Sequence, residues 1–379
     1  MVKTGVTRRW FRGAAASVVL LGTALGGAAG LYLQRAEFGQ APDGERLQTI
    51  QGSPNQTDGV FHNAIPTPTL AEGQSLPSVM WANLTQKAEH LAPAQALPFV
   101  NTDLRALPLE RDVVVWLGHS SYYLHIGGQR VLIDPVLSHF AAPVSFANRA
   151  FPGSNPYRAE DIPDIDLLLI THDHYDHLDH ATLTALRPRI AQTITGLGVG
   201  SHLRHWGFAP ESVSEGDWMQ RFDLASGLAV HLLPARHYSG RSLVRNRSLW
   251  VGFALKAPAR SLFFSGDSGY GPHFAEIGQR LGGFDLAVLD SGQYDPRWPY
   301  IHMNPEEAVR ATADLRAAAL LPGHVGKFAM ARHAWDEPFQ RLVAASRSQS
   351  LRLLTPVLGD PVRLDEPGQT FAAWWAAIR

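Results

Sequence analysis

Residues 171–180 concentrate side chains that can bind metal ions. The run reads Thr171-His172-Asp173-His174-Tyr175-Asp176-His177-Leu178-Asp179-His180. It follows the wholly apolar residues 167–170, which predict a short strand covered on both faces. Imidazole and carboxylate groups are suitable ligands for Zn²⁺. Because alternate residues of an extended segment project to the same side, we expect His172 and His174 to bind one ion, and Asp176 and His177, where the chain turns, to serve a second.

The composition restricts the kinds of site that the chain can build. Its 379 residues include 17 histidines but no cysteine, and 33 Lys and Arg balance 34 Asp and Glu to a net charge of −1. Without cysteine there is no disulfide, thiolate zinc site, iron–sulfur cluster or cysteine nucleophile. Balanced charge gives no reason to expect nucleic acid as a partner. Any metal must therefore be held by imidazole and carboxylate.

The elements around the histidine run predict a layered α/β (α+β) protein with one catalytic domain, residues 111–379. Residues 113–117, 122–126 and 130–133 are rich in β-formers, and Gly127-Gly128 predicts a two-residue hairpin turn. A helix is predicted to begin at Asn304, with Asn as the cap, proline in the first position and glutamates in the first turn. Strands and helices alternate between these segments, as expected of stacked layers.

Residues 1–35 are predicted to be a targeting or anchoring segment. Arg8 and Arg9 precede an aromatic residue, as in a bacterial twin-arginine export signal, and the 21 residues 13–33 are uncharged and long enough to span a bilayer. We expect a protein of the bacterial cell envelope, anchored in the inner membrane or exported to the periplasm. The alternative is a buried Ala- and Gly-rich helix in a cytoplasmic protein, and cleavage is left open.

Residues 36–110 are predicted to wrap the catalytic domain as a proline-rich extension. Eight prolines between residues 42 and 108 exclude long regular elements, although residues 79–91 could hold one short helix. The alternative is a mobile linker, but apolar residues such as Phe61, Met80 and Trp81 would serve no purpose there. A shortened chain that begins near Gln40 is expected to be soluble and active.

The HxHxDH pattern of residues 172–177 resembles the signature of the metallo-β-lactamase superfamily. This resemblance implies an αββα sandwich with one or two metal ions at one edge. The further ligands that it implies follow in the expected order after strand-like segments: His237, Asp267 and His324.

Within that superfamily, the motifs are similar to those of N-acylphosphatidylethanolamine-hydrolysing phospholipase D and its bacterial relatives. The shared segments lie at residues 116–120, 134–136, 171–179, 247–250, 263–271, 294–298 and 302–309. The resemblance implies that His172, His174 and His237 bind a first zinc ion. It implies that Asp176, His177 and His324 bind a second, that Asp267 bridges the two, and that Tyr175 and His302 contact the phospholipid. For His302 the alternative is a histidine that only begins a helix.

The expected function is that of a zinc-dependent phospholipase D-type phosphodiesterase at a membrane surface. Its substrate would be an N-acylphosphatidylethanolamine-like phospholipid or a small phosphodiester. Two Zn²⁺ ions, or iron or manganese, would activate a bridging hydroxide, with Asp176 and His302 as candidate catalytic residues. Asp173, Asp179 and His119 are candidates for holding the ligating imidazoles in place.

Two alternatives from other classes remain open. One is a lactonase or other ester hydrolase of the sugar-phosphate lactonase type, which keeps the metals and changes the substrate. The other is a non-catalytic, metal-stabilised envelope protein. Val325 and Lys327 stand where the eukaryotic phospholipases have Trp and Thr, so the same lipid is not assured. The oligomeric state is not predicted.

Overall fold

The computed structural model describes Thr23, residues 26–241 and residues 243–378. Most of the 13–33 segment that is expected to act as an anchor therefore lies outside the described residues. Within the described ranges, no helix has the length and hydrophobicity needed to cross a bilayer.

The described elements alternate along the chain as the sequence patterns indicate. The strands are β1 (Gln56–Thr57), β2 (Val60–Phe61), β3 (Val113–Gly118), β4 (Ser121–Ile126), β5 (Gln129–Ile133), β6 (Ile165–Ile170), β7 (Ile190–Gly196), β8 (Val213–Gly216), β9 (Arg221–Asp223), β10 (Ala229–Leu233), β11 (Gly252–Ala257), β12 (Arg260–Phe264), β13 (Leu286–Asp290), β14 (Ala319–Gly323), β15 (Arg352–Leu353) and β16 (Pro361–Arg363). The α-helices are α1 (Gly44–Gln51), α2 (Leu76–Thr85), α3 (His180–Leu186), α4 (Gly200–His205), α5 (His273–Leu281), α6 (Pro305–Asp314) and α7 (Glu337–Ser348).

Two seven-stranded sheets form the centre of the fold. The first has the order β16-β3-β4-β5-β6-β7-β8, and the second has the order β15-β14-β13-β12-β11-β10-β9. In each sheet the pairing is partly antiparallel and partly parallel: β5 to β8 are parallel in the first sheet, and β12 to β15 in the second. Parallel neighbours bring the carboxyl ends of their strands to one edge, where ligand sites usually form.

The three largest apolar cores among the described residues lie between the four layers of the fold. Between the sheets, alternate residues of the first sheet, such as Leu167 and Leu169, belong to the same core as Phe253 and Phe264 of the second. On the outer face of the first sheet, Leu168 packs in a core with residues of α3 and α4. A third core joins the second sheet to α5, α6 and α7. The αββα sandwich expected from the sequence is confirmed.

Local signals in the sequence set several element boundaries. Gly127 and Gly128 both have positive φ, at 57° and 71°, as a tight hairpin between β4 and β5 requires. Asn304 begins α6: its side chain accepts a hydrogen bond from the backbone N–H of Glu307 at 2.9 Å, and the Glu307 carboxylate accepts the N–H of Asn304 at 3.0 Å. Such reciprocal caps stabilise a helix start by about 1 kcal/mol.

The helix expected over residues 79–91 is wrong in its bounds, because α2 covers Leu76–Thr85. Ser75 caps it by accepting a hydrogen bond from the N–H of Ser78, so the helix begins before the apolar residues that suggested it. Gln86 is already extended. The surrounding extension contributes Phe61, which is fully buried in the core between the sheets, and Asn63, which reaches the edge where the strands end.

Candidate metal centre

The predicted ligands come together at one edge of the sandwich, beyond the carboxyl ends of several strands. Residues 172–177 follow β6, His237 follows β10, Asp267 follows β12 and His324 follows β14 directly. The side chains are almost completely buried, except for His174, which is partly exposed. Ligands that are far apart in the chain thus lie close together because the strands that precede them end at the same edge of the two sheets.

One group consists of His172, His174, His237 and Asp267, whose ligand atoms lie within 4.8 Å of one another. Nδ1 of His174 is 2.9 Å from Nε2 of His172 and 3.2 Å from Nε2 of His237. Oδ2 of Asp267 is 3.8 Å and 3.6 Å from the same two Nε2 atoms. This is the set that the sequence predicts for the first ion.

A second group consists of Asp176, His177 and His324, joined by His119. Nε2 of His177 lies 3.5 Å from Oδ2 of Asp176, and Nε2 of His324 lies 4.0 Å from the same oxygen. His119, which the sequence suggests only as a supporting residue, approaches this oxygen to 2.9 Å. The ligand atoms of the three residues predicted for the second ion therefore lie close to one another.

Asp267 faces both groups with different oxygens. Oδ2 points to the first group, while Oδ1 lies 3.1 Å from Nε2 of His177 and 3.0 Å from Nδ1 of His324. The preceding residue, Gly266, allows this approach: its φ is +58°, and a Cβ there would meet Cβ of Thr171 at 2.9 Å and the carbonyl oxygen of Val251 at 3.0 Å. A carboxylate placed this way can bridge two cations.

The residues fit bound metal ions by an observation independent of spacing. Nε2 of His177 and Oδ1 of Asp267 are buried without any hydrogen-bond partner among the described residues. Such unsatisfied buried atoms cost about 1–3 kcal/mol each unless something else satisfies them. Burial lowers the pKa values of His172, His237 and His324 well below the ordinary value, so these imidazoles are neutral and keep a lone pair for a cation.

A cavity of about 230 Å³ opens onto both groups. Its polar wall includes His174, Asp176, Asp267, His302 and His324. Its apolar wall is supplied largely by the extension and by the segment before α6: Leu70, Leu76, Val79, Trp298, Ile301 and Met330. Arg245 also lines the cavity, exposed and stacked on the Tyr238 ring at 5.0 Å.

Comparison with known proteins agrees with this arrangement. A family model described as the beta-lactamase superfamily domain matches residues 129–325, which include β5 to β14 and all the candidate ligands. The chain belongs to the beta-lactamase superfamily. The resemblance indicated by the HxHxDH motif is thereby confirmed, and the chain is a metal-dependent hydrolase by family.

Two relatives and one solved structure illustrate what the chain is similar to. Uncharacterized protein Rv0906 of Mycobacterium tuberculosis is 37% identical over 359 residues, which are 92% of this chain and 95% of that protein. N-acyl-phosphatidylethanolamine-hydrolyzing phospholipase D 1 of Caenorhabditis elegans is 34% identical over 228 residues, or 57% of this chain and 64% of the relative. Igni18, a metallo hydrolase of Ignicoccus hospitalis, shares the fold with a TM-score of 0.54 at 22% identity, over 66% of this chain and 97% of its own.

Hydrogen bonds orient the imidazoles of this superfamily member towards the centre. His177 uses Nδ1 to bind Oδ2 of Asp134 at 2.8 Å, which leaves Nε2 for the metal side. His237 donates from Nδ1 to the carbonyl oxygen of Ile301 at 2.9 Å, and its backbone N–H is held by Asn63 at 3.0 Å. Such partners fix the tautomer and the ring orientation of a ligand.

Asp134 is a supporting residue that sequence reasoning missed. It follows β5, accepts the N–H of Thr171 at 2.8 Å and holds His177, so it ties the ends of two neighbouring parallel strands together. The available signal was the segment 134–136, which belongs to the shared motifs but was given no role. The signal in the sequence is therefore an acidic residue directly after the strand that pairs with β6, the strand that precedes the HxHxDH motif.

The three supporting residues suggested by the sequence have different positions. His119 reaches the carboxylate of Asp176, as described above. Asp173 accepts hydrogen bonds from Gly240 N–H and Ser248 Oγ, both at 2.8 Å. Asp179 accepts hydrogen bonds from Ser138 N–H and from the Thr182 hydroxyl. Within the described part of the chain, neither aspartate forms a hydrogen bond with a candidate ligand imidazole.

His302 and Tyr175, both expected to contact substrate, lie in different cavities. His302 lines the metal cavity, stacks on His324 at 4.9 Å between ring centroids and binds Oδ2 of Asp290 through Nδ1 at 2.8 Å. Tyr175 lines a separate cavity of about 730 Å³, and its hydroxyl donates to the carbonyl oxygen of Arg241 at 2.9 Å. The structure therefore brings His302, but not Tyr175, to the metal cavity.

Proposed function

We propose that the chain is a phospholipase D-type phosphodiesterase that acts on N-acylphosphatidylethanolamine-like lipids with two zinc ions. The observation that carries the proposal is Asp267, which turns one oxygen to each of two ligand groups beside a single cavity. Iron or manganese would be accepted by the same donors. Paired metal ions are typical of enzymes that cleave phosphate esters.

The ligands that would hold the ions are those grouped by the geometry. His172, His174 and His237 would hold one ion; Asp176, His177 and His324 the other; and Asp267 would bridge them. When bound, such ions polarise a phosphoryl oxygen and lower the pKa of bound water.

Within the cavity, His302 is suited to act as a general acid or base. Its Nδ1 is engaged by Asp290, so Nε2 is the nitrogen that can hold a proton or pass it to a leaving group. Asp176, held through His119, is a second candidate catalytic group because it also lines the cavity.

The lining of the cavity favours an anionic lipid as the substrate. Arg245 forms no ion pair among the described residues, so its charge is available to a phosphate group. Leu70, Leu76 and Trp298 offer apolar surface to an acyl chain. The name of the Caenorhabditis elegans relative agrees with this chemistry.

A lactonase of the sugar-phosphate type is the second candidate, because it would use the same ligands. A small polar lactone would leave the apolar wall of the cavity without a partner. A non-catalytic role is disfavoured, since a purely structural zinc needs four ligands and no open cavity.

The test uses the full-length protein loaded with zinc. Hydrolysis of N-acylphosphatidylethanolamine in mixed micelles and of a phosphodiester reporter is compared with hydrolysis of a lactone panel. The Asp267→Ala variant is the control for contaminating activity. Turnover of the phospholipid that is absent in Asp267→Ala supports the proposal, whereas lactone turnover alone would replace it with the second candidate.

We also propose that the protein acts at the bacterial cell envelope, with the catalytic domain on the periplasmic side of the inner membrane. This rests on the arginine pair and on the uncharged residues 13–33. Protease added to intact spheroplasts should digest the catalytic domain. Digestion only after lysis would place the domain in the cytoplasm.

A further inference from the structure

Arg241 is a buried cation behind the histidine motif. Its side chain is only 3% exposed, and it forms no ion pair with a carboxylate among the described residues. A charge in such a place must be satisfied by hydrogen bonds or ring contacts. The partners of Arg241 therefore show what this side chain is positioned to do.

Its hydrogen bonds to the described residues all go to backbone carbonyl groups. Nη1 donates to the carbonyl oxygens of Asp173, at 3.0 Å, and of Leu178, at 2.7 Å. Nε donates to the carbonyl oxygen of Glu37 at 2.8 Å. The first two carbonyl groups lie on either side of residues 174–177, which carry three of the candidate ligands. One planar guanidinium group thus fixes the two ends of this turn relative to each other.

Ring contacts complete the environment of Arg241. Its guanidinium carbon lies 4.3 Å from the centroid of the Tyr175 ring and 4.9 Å from that of the Trp206 ring. The Tyr175 hydroxyl donates to the Arg241 carbonyl oxygen, so the two residues hold each other by two different contacts. Tyr175 thus anchors the turn from the side of the separate cavity, whose lining includes none of the candidate ligands.

The segment formed by residues 36–40, here called the strap, is part of the same assembly. Its Glu37 carbonyl group binds Arg241, and the Phe38 ring meets the Tyr175 ring edge-on at 6.3 Å. The backbone N–H of Gln40 donates to Nδ1 of His202. The other ring nitrogen of His202, Nε2, lies 3.7 Å from Oδ2 of Asp173. Two separate routes therefore connect the strap to the ligand turn.

We propose that Arg241 is a positioning residue that holds the ligand turn in its metal-binding geometry and couples it to the strap. The inference rests on the metal centre of the proposed function, but it does not depend on which substrate is hydrolysed. A lysine would keep the charge, yet its single ammonium group cannot reproduce both the fork of N–H groups and the planar stacking surface. Removing the side chain frees the carbonyl groups on both sides of the ligands.

The experiment measures metal binding in the full-length protein. Zn²⁺ affinity is determined by chelator competition, and the visible absorption spectrum of the Co²⁺-loaded protein reports ligand geometry. The variants are Arg241→Lys and Arg241→Met. The matched controls are Arg204→Lys and Arg204→Met, because Arg204 pairs with Glu215 at 2.5 Å and forms no contact with the ligand turn among the described residues.

Arg241→Met should weaken Zn²⁺ binding about tenfold to a hundredfold and change the Co²⁺ spectrum, as the loss of a residue that supports ligands does. Arg241→Lys should lie between this variant and the wild type, and both Arg204 variants should keep the wild-type values. Wild-type affinity and spectrum in Arg241→Met would overturn the inference, as would an equal loss in Arg204→Met.

A milder pair of variants covers the case in which Arg241→Met does not fold. Phe38→Ala removes the ring contacts of the strap with Tyr175 and Tyr32, and Tyr175→Phe removes only the hydroxyl bond to Arg241. Each should change the Co²⁺ spectrum with a smaller loss of Zn²⁺ affinity, and an unchanged spectrum in both would overturn the coupling. Failure of the proposed function can be distinguished from failure of this inference. If the wild-type protein binds two metal ions but cleaves no phosphodiester, Zn²⁺ affinity and the Co²⁺ spectrum can still be measured for every variant.

Discussion

Nε2 of His177 and Oδ1 of Asp267 face each other across 3.1 Å in a buried site, yet no hydrogen bond joins them or satisfies either atom among the described residues. His177 has committed its other nitrogen to Asp134. Two buried atoms of ligand type that lie this close without a hydrogen bond have the arrangement of two ligands around one cation. This relationship makes Asp267 the most informative position for testing the metal centre.

Asp267→Ala should reduce bound zinc from about two ions per chain to one or fewer and abolish activity, because a bridging ligand serves both ions. Asp267→Asn, which keeps the shape but loses the charge, should show a smaller loss of metal. Metal is measured by elemental analysis after gel filtration in metal-free buffer. Asp285→Asn is the control, since the exposed Asp285 accepts the N–H of Ser261 and pairs with Arg260 at 3.9 Å, and neither partner is a candidate ligand. Active wild-type protein without bound metal would refute the proposed centre.

His302→Ala should keep both metal ions and lower kcat/KM by about ten- to a hundredfold, because a polar contact in a buried site contributes about 1–3 kcal/mol. Asp290→Asn should have a related but smaller effect, since Asp290 orients the His302 ring and also accepts the backbone N–H groups of Ser268 and Gly292, which an amide oxygen can still accept. Steady-state kinetics and metal content are measured on the same preparations. Loss of a metal ion in His302→Ala would show that His302 is a ligand, a role that its approach to Asp267 and His324 permits.

Arg245→Met should raise KM for anionic phosphodiesters about five- to tenfold and leave kcat nearly unchanged. Its exposed charge is expected to contribute about 1 kcal/mol to binding of the phosphate group. A neutral ester substrate should be unaffected. Arg221→Met serves as the matched control, because Arg221 is exposed on β9 and pairs with Asp223 away from the cavity. Equal changes for charged and neutral substrates would contradict this role.

Lys327 should make stability depend on pH. It is fully buried, with Nζ donating to the carbonyl oxygen of Val136 at 2.6 Å and to Oδ1 of Asn155 at 3.0 Å, and burial lowers its pKa from 10.5 to about 7. Between these values the unfolded chain binds a proton that the folded chain lacks, so the free energy of unfolding rises with pH in this interval.

Relative to Lys327→Met, the wild-type free energy of unfolding should therefore increase by about 2–3 kcal/mol from pH 7 to pH 9, and stay level below about pH 6. Urea unfolding of both proteins at several pH values, in the presence of a chelator, measures this difference. Parallel curves for the two proteins across the whole range would show that Lys327 does not titrate as its burial implies.

The strap changes the expectation for shortened chains. A chain that begins near Gln40 lacks Ala36, whose carbonyl oxygen accepts Nε1 of Trp206 at 2.8 Å, and it lacks the Glu37 carbonyl group that binds Arg241. We expect a chain beginning at residue 34 to retain metal affinity and activity, and one beginning at residue 41 to lose about tenfold in affinity. Chelator competition on the two shortened chains measures the effect. Equal affinities would show that the strap is dispensable.

The local sequence determines where several strands, turns and helices of this protein form. The apolar run at residues 167–170, the hairpin glycines and the Asn304 cap each specify an element by steric or hydrogen-bonding preferences of neighbouring residues, and the structure has all three. The candidate ligands at residues 172–177 were likewise found from residue type and position after a strand, whereas His237, Asp267 and His324 were implied by the superfamily resemblance. Their grouping followed because parallel strands end at a common edge.

The tertiary structure decided the contacts that depend on register and on the direction of a turn. Asp134 supports His177 only because Ile133 pairs with Leu169, which sets the ends of β5 and β6 side by side. Tyr175 lies between ligands in sequence, but the turn closed by the hydrogen bond from Leu178 N–H to the His174 carbonyl oxygen sends its ring to the other cavity. Such outcomes depend on residues distant in the chain, and no local pattern encodes which of them will meet.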